Sequence, residues 1–129
     1  MQPIFSQQKP LFLSIAEWLE DAILSHIYRE GQQVPSITEI SVQYNLNPAT
    51  ALKGVNLLVD SGLLYKKRGM GMFVSEGAHS KLMQRRQEQF YSDYIEPLIQ
   101  EARRLKIDKD DLRSMIERGI ADDNSNQQP

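Results

Sequence analysis

The chain has 129 residues, 40% hydrophobic and 25% charged, which suits one ordinary domain or a small domain with an appendage. It has no cysteine, so disulfides and thiolate metal sites are excluded, and no apolar run near the ~18 residues of a membrane span. The formal net charge of −2 is no flag for nucleic-acid binding, so the distribution of charge matters more than its sum.

The amino-terminal stretch MQPIFSQQKP lacks the basic-then-apolar pattern of a signal peptide, and a cytoplasmic location is expected. Residues 10–25 predict an amphipathic helix. Leu11, Ile15, Leu19, Ala22 and Ile23 share one face, and Glu17, Glu20 and Asp21 share another. The helix is expected to end near His26. Arg29-Glu30-Gly31 then makes a turn, and Gln33-Val34 is a short extended stretch before Pro35, which disfavours helix in the residue ahead of it.

Ser36 followed by Glu39 has the spacing of a capping box, in which each side chain bonds the other residue's amide. Ile37, Ile40 and Val42 would give this second helix its apolar surface. It stops near Tyr44 and Asn45, because Asn tolerates a left-handed turn. Asn47 caps a third helix, with Pro48 at the first helical position, where no amide is needed. Ala51, Val55, Leu58 and Val59 form its inward stripe, while Ala49, Thr50, Lys53 and Asn56 point elsewhere. Two short helices joined by a tight turn make a helix-turn-helix signal, a pattern that ordinary helical bundles share.

After Asp60 the helix stops at Ser61-Gly62, with Gly62 left-handed. Leu63–Lys67 and Met72–Val74 read as two strands, and Arg68-Gly69-Met70-Gly71 reads as the hairpin tip between them. A helix-turn-helix followed at once by a hairpin is the winged-helix arrangement. A thin glycine-rich loop fits a minor groove about 6 Å wide, where a helix does not. Through Glu76 there are six Lys/Arg (Lys9, Arg29, Lys53, Lys66, Lys67, Arg68), and four of them fall between positions 53 and 68. That cluster can neutralise phosphates within an otherwise acidic molecule.

Residues 78–105 form a second region. Tyr91, Tyr94, Ile95, Leu98, Ala102 and Leu105 recur at helical spacing. Pro97 interrupts them and predicts a kink or two helices. The QRRQEQ stretch at 84–89 is polar all round and is expected to be exposed. Asp108 caps a last helix with Leu112, Met115 and Ile116 on its apolar face, and Gly119 is expected to end it. Residues 121–129 have the composition of a disordered tail.

The predicted architecture is therefore mainly α with a small β-hairpin. A winged helix-turn-helix domain spans 1–76, a short helical dimerisation region 77–118, and a disordered tail 119–129. About 40 residues of C-terminal helix are too few for an independent core. Their apolar face is expected to pack either on the amino-terminal domain or, as two-fold symmetry favours, on the same region of a second chain, through Phe90, Tyr91, Tyr94, Ile95, Leu98, Leu105, Leu112, Met115 and Ile116. His26 and His79 sit in no ligand-spaced cluster, and Asp108, Asp110 and Asp111 lack the glycine and terminal glutamate of a calcium loop. No catalytic group, metal site or cofactor is expected.

Residues 10–74 resemble the DNA-binding domain of the GntR family of bacterial transcription regulators. The resemblance rests on Pro10-Leu11-Phe12 with Ile15, the Gly31 turn, Pro35-Ser36, Leu46, Asn47-Pro48 and Thr50, Gly62, and Gly69-Met70-Gly71-Met72-Phe73-Val74. The C-terminal pair, with Glu101-Ala102 and then Leu105 through Leu112, resembles the YtrA subfamily, which has a small dimerising module in place of a full effector domain. The resemblance implies a homodimeric repressor of a small operon, its own or a transporter's, on palindromic double-stranded operator DNA. Helix three would enter the major groove through Asn47, Ala49, Thr50 and Lys53. Ser36 and Thr38 would lie at the phosphate end of helix two. Lys66, Lys67, Arg68, Gly69 and Gly71 would form the wing contact.

Several positions depart from the family pattern. Thr38 and Lys53 stand where Arg is usual, Met72 stands where a polar wing residue is usual, and His26 stands where Gly usually ends helix one. The last implies that His26 has positive φ. The missing arginines and the acidic balance keep a second reading open, a winged-helix module that binds protein. A small-molecule effector, if one acts, is expected between the winged domain and the C-terminal helices or across the dimer.

Overall fold

Helix capping and turn chemistry set the frame of the amino-terminal half. The computed structural model describes residues 9–127, with side chains described as far as residue 123. In chain order the elements are α1 (Leu11–Leu24), α2 (Ile37–Tyr44), α3 (Pro48–Asp60), β1 (Leu64–Lys67), β2 (Gly71–Val74), α4 (Ala78–Phe90), a π-helical turn (Tyr91–Ile95), α5 (Glu96–Arg104) and α6 (Lys109–Gln127). The architecture is mainly helical with one antiparallel hairpin, as the sequence predicts. The chain divides into two compact units, one ending at Arg86 and one beginning at Gln87.

The first unit closes its helices with the predicted residues. Ser36 Oγ accepts from the Glu39 amide at 3.0 Å, and the Glu39 carboxylate accepts from the Ser36 amide at 3.1 Å. Asn45 ends α2 in the left-handed region at φ 53°. Asn47 Oδ1 accepts from the Ala49 amide at 2.9 Å, with Pro48 opening α3. Gly62 has φ 80°, and His26 holds φ 60°, the conformation expected where glycine is usual. The His26 ring is stacked on the His79 ring at 4.1 Å.

The core of this unit draws on every element before Leu82. Ala16, Leu19 and Ile23 of α1 meet Ile40 of α2 and Ala51, Val55 and Leu58 of α3, and Ile15 is buried beside Gly54. Leu63, Leu64, Val74, Ala78 and Leu82 complete it. Ala78 and Leu82 extend the unit past residue 76, where the sequence reading ends its first domain. The reason is that the first turns of α4 carry apolar groups into the same core. Val59 and Ile37 are only partly buried beside it.

Two other residues expected in the core are not there. Leu11, in the first turn of α1, is 37% exposed, and Val42 is 78% exposed. α2 turns Ile40 and Ser41 inward instead, and the buried residues of α1 begin at Ser14.

α1 and α3 approach closely at Gly54. A Cβ there would lie 2.7 Å from the Phe12 carbonyl oxygen and 2.9 Å from Ile15 Cβ. The sequence reading assigned Gly54 no role.

The stretch 84–89 is not free of partners. Arg85 pairs with Glu20, and Arg86 Nη2 lies 2.9 Å from Asp21 Oδ1 and 3.5 Å from Glu20 Oε1. Partial burial works to lower the pKa of the Arg86 guanidinium. The hydrogen bond and charge of Asp21, with those of Glu20, override it and raise the group above its usual value. The acidic face of α1 thus meets the basic turn of α4, which a reading of α4 alone could not show.

In the second unit Pro97 has the effect predicted for it. It lacks an amide, and its ring crowds the carbonyl four residues back. The backbone widens ahead of it into the π turn, where the Glu96 amide bonds the Tyr91 carbonyl. The extra residue shifts the helical phase, so the stripe read from Tyr91 to Leu105 is not one straight face. α5 ends at Arg104, Lys106 beyond it turns left-handed at φ 57°, and Asp108 Oδ1 accepts from the Asp111 amide at 2.8 Å. α6 does not end at Gly119 but runs on to Gln127. A glycine stops a helix by turning left-handed, and Gly119 keeps a negative φ. Residues 128–129 of the expected tail lie outside the described residues.

Substituting Gly54→Ala should gain helix propensity yet destabilise the protein by about 1–3 kcal/mol, because the added methyl has no room against the α1 backbone. Urea unfolding should show a lower midpoint at unchanged slope.

Candidate nucleic-acid interface

The wing is built by three segments rather than two. β1 and β2 pair antiparallel with Leu64 opposite Val74, Tyr65 opposite Phe73, Lys66 opposite Met72 and Lys67 opposite Gly71. The segment 31–34 adds a third edge to β2. The Gly31 amide bonds the Val74 carbonyl at 2.8 Å, the Val74 amide bonds the Gln32 carbonyl at 2.9 Å, and the Val34 amide bonds the Met72 carbonyl at 3.0 Å. Gln33-Val34 is thus extended, as expected, and its partner is β2.

The tip is shorter than the sequence suggests. Gly71 belongs to β2, so the turn is Arg68-Gly69-Met70, closed by the Met70 amide on the Lys67 carbonyl at 2.9 Å. Gly69 at φ 76° and Gly71 at φ 113° hold conformations that side-chain-bearing residues rarely adopt. Gln33 ties the tip to the third edge through its Nε2, which donates to the Met70 carbonyl at 2.6 Å. A Cβ on Gly71 would lie 2.7 Å from that same nitrogen. Gln33 was missed at the sequence level because no local pattern pairs positions 37 residues apart.

Alternation along β1 separates the wing cations. Tyr65 and Lys67 share the face of Phe73, and the Tyr65 ring stacks on Phe73 at 5.8 Å while Lys67 Nζ sits 5.1 Å from its centroid. Lys66 lies on the opposite face with buried Leu64 and Val74. Lys66, Lys67, Arg68 and Gly69 are all exposed, and Gly71 is half-buried.

On the helix-turn-helix, Thr38, Asn47, Ala49 and Lys53 are exposed, and Ser36 and Thr50 are half-buried. Ser36 and Asn47 spend a side-chain oxygen each on capping, as noted above, and the Glu39 carboxylate occupies part of the amino end of α2. Lys53 Nζ lies 4.0 Å from the centroid of Phe12, a contact across to α1 that helical periodicity cannot reveal. Asn56 and Leu52 are also exposed on α3.

The remaining basic side chains of this unit are largely committed elsewhere. Lys9 pairs with Glu17 at 2.6 Å, Arg85 and Arg86 pair with Glu20 and Asp21, and Lys81 donates to the Ser61 carbonyl at 2.5 Å. Among the described residues, no ion pair involves Lys53, Lys66, Lys67 or Arg68. Arg29, in the turn after α1, is likewise in no ion pair, so the positive charge free of carboxylates sits mainly on α3 and the wing. No group of three or more His, Cys, Asp or Glu side chains that could hold a metal occurs among the described residues. No helix among them is long and apolar enough to cross a membrane.

A capped helix-turn-helix running into a clamped β-hairpin defines a winged helix-turn-helix protein. Residues 11–74 match the family described as bacterial regulatory proteins, gntR family, and the chain belongs to that family. Over 113 residues it is 25% identical to the transcriptional repressor YtrA of Bacillus subtilis, covering 88% of this chain and 86% of YtrA. It also matches longer repressors over 64 residues at 36% identity, and there it spans only about a quarter of their length (26%). Among solved structures it is similar to a putative GntR-family regulator from Bacteroides thetaiotaomicron, at TM-score 0.68 and 28% identity over 87% of this chain and 97% of that one. It is similar as well to the DNA-binding domain of AraR in complex with operator ORX1, at TM-score 0.51 and 28% identity over 58% of this chain and 92% of that one.

Removing the clamp by Gln33→Ala should leave global stability within about 1 kcal/mol. Hydrogen exchange at the Met70 amide should rise roughly fivefold, while the amides of α3 stay as protected as before.

Proposed function

We propose that the chain is a sequence-specific DNA-binding transcription regulator, a homodimeric repressor of a small operon that acts on palindromic operator DNA. The observation that carries this reading is the placement of the uncommitted cations. Among the described residues, Lys53 on α3 and Lys66, Lys67 and Arg68 on the wing are in no ion pair, and apart from them only Arg29 of the basic side chains before residue 76 is in none, whereas Lys9, Arg85 and Arg86 are paired. The likeness to an AraR domain crystallised on its operator supports the same docking mode.

In this mode α3 lies in the major groove with Asn47, Ala49, Thr50 and Lys53 toward the bases and backbone. The tip Arg68-Gly69-Met70 follows the backbone into the minor groove, with Lys66 and Lys67 on its two faces meeting phosphates on either side. Ser36 and Thr38 at the amino end of α2 face a phosphate. The Ser36 hydroxyl, whose oxygen already accepts from Glu39, still has its proton to donate. These contacts order the protein on the duplex and make its affinity salt-dependent.

The second unit supports the pairing of two chains. Among its described residues only Ala102 is buried, and Phe90, Tyr91, Tyr94, Leu98, Leu105, Met115 and Ile116 are each exposed by more than a third, while Ile95 and Leu112 are half-buried. So much apolar surface on so small a unit is best covered by a second copy. Two copies would present two reading heads to a two-fold symmetric site.

A gel-shift titration against the promoter upstream of the protein's own coding region tests the reading. Retardation is expected, and its absence even at low salt would leave a winged-helix module that binds protein. Arg68→Ala should weaken binding by less than about tenfold and reduce the salt slope by about one. Sedimentation should find a dimer, and Ile116→Glu should yield a monomer that binds a palindrome about a hundredfold more weakly.

A further inference from the structure

We infer that Leu52 is a specificity-determining residue, which reads the 5-methyl group of a thymine in each half of the operator. The inference rests on the DNA-binding reading above and adds to it a named base. Leu52 lies near the middle of α3, yet its side chain is 44% exposed. An isolated exposed leucine is common on protein surfaces and calls for no explanation. This one differs in its neighbours.

Ala51, Val55 and Leu58 take the inward face of α3, and Ala49, Leu52, Lys53 and Asn56 take the outward one. The ammonium of Lys53 is drawn toward α1, over the Phe12 ring. The strip that remains is Ala49, Leu52 and Asn56, at i, i+3 and i+7 of the helix. Its first two members are apolar, and no carboxylate occurs on α3 before Asp60. The centre of the reading face is therefore apolar, with a cation to one side.

The major groove offers one apolar group on its base edges, the C5 methyl of thymine. Guanine and adenine present acceptors or an amino group there, and cytosine has only a C5 hydrogen beside its amino group. A leucine laid against those would strip their water and return no hydrogen bond. Leucine against the thymine C5 methyl buries apolar surface on both sides, and the neighbouring O4 can keep its water. Leu52 thus favours a T·A pair at one fixed position of the half-site, and Ala49 gives the methyl room. Burying one methyl corresponds to about a fourfold change in affinity, and about fifteenfold when both half-sites change together.

The test uses the full-length protein and an operator fragment that it retains. Each thymine of a half-site is replaced in turn by deoxyuridine, which deletes the methyl and nothing else. The expected result is one position per half-site at which the replacement weakens wild-type binding about fourfold. At that position Leu52→Ala should bind the thymine and uracil fragments equally, with an unchanged thermal melting curve as the check on its folding. The wild-type arm needs no variant, so the outcome does not depend on how Leu52→Ala folds. Tight binding with no uracil-sensitive position overturns the inference and leaves the DNA-binding reading intact. Sensitivity that persists in a folded Leu52→Ala protein also overturns it. A protein that retains no fragment at all overturns both.

Discussion

The close crossing of α1 and α3 at Gly54 is the contact on which the rest of the first unit depends. Where a side chain would stand, the α1 backbone at Phe12 and the Ile15 side chain stand instead. That proximity packs Ile15 against Gly54, lets Leu19 join Val55 and Leu58 in one core, and brings the Phe12 ring under Lys53. A glycine in mid-helix costs about 1 kcal/mol of helix propensity. Here the cost is offset by packing that holds the outward face of α3 at a fixed height above the core. The residues proposed to meet DNA owe their position to an atom that is missing.

The wing depends on a second long-range contact. A two-stranded hairpin alone is marginally stable in water. This one is held by the backbone bonds of segment 31–34 and by the Gln33 amide on the Met70 carbonyl. The clamp holds the tip from the side opposite to Arg68 in sequence and leaves the cations unengaged. Tyr65 and Lys67 cover Phe73, so the outer face of the wing is both packed and basic. Charge is thereby segregated within an acidic chain. The carboxylates of α1 neutralise the basic turn of α4, and the cations of α3 and the wing stay available.

The second unit follows another logic. Its helices are well capped by Asp108 and well broken by Pro97, but they enclose almost nothing. The π turn spaces the aromatic residues around the helix and brings Phe90 and Tyr94 to 5.5 Å. Local chemistry suffices to form such helices and does not supply a core for them. That is why their exposed face enters the proposal as a surface for a second chain.

Much of this molecule was legible in the residues one by one. The capping box at Ser36 and Glu39, the Asn47-Pro48 start of α3, the left-handed turns at Asn45 and Gly62, and the break at Pro97 all follow from interactions within a few residues, whereas the left-handed His26 was legible only through the family resemblance. Short-range chemistry has the same outcome in any surroundings, so it can be read without a fold. The shift of Gly71 into β2, the pairing of Arg85 and Arg86, and the Gln33 clamp were decided by segments distant in the chain. A periodic pattern tells which face of a helix is apolar, but not whether another element arrives to cover it. The sequence determined where helices and turns form and that four cations cluster near the wing. Only the tertiary structure decided which of those charges stay free and how close the reading helix lies to its support, because both depend on distances between residues that meet only after folding.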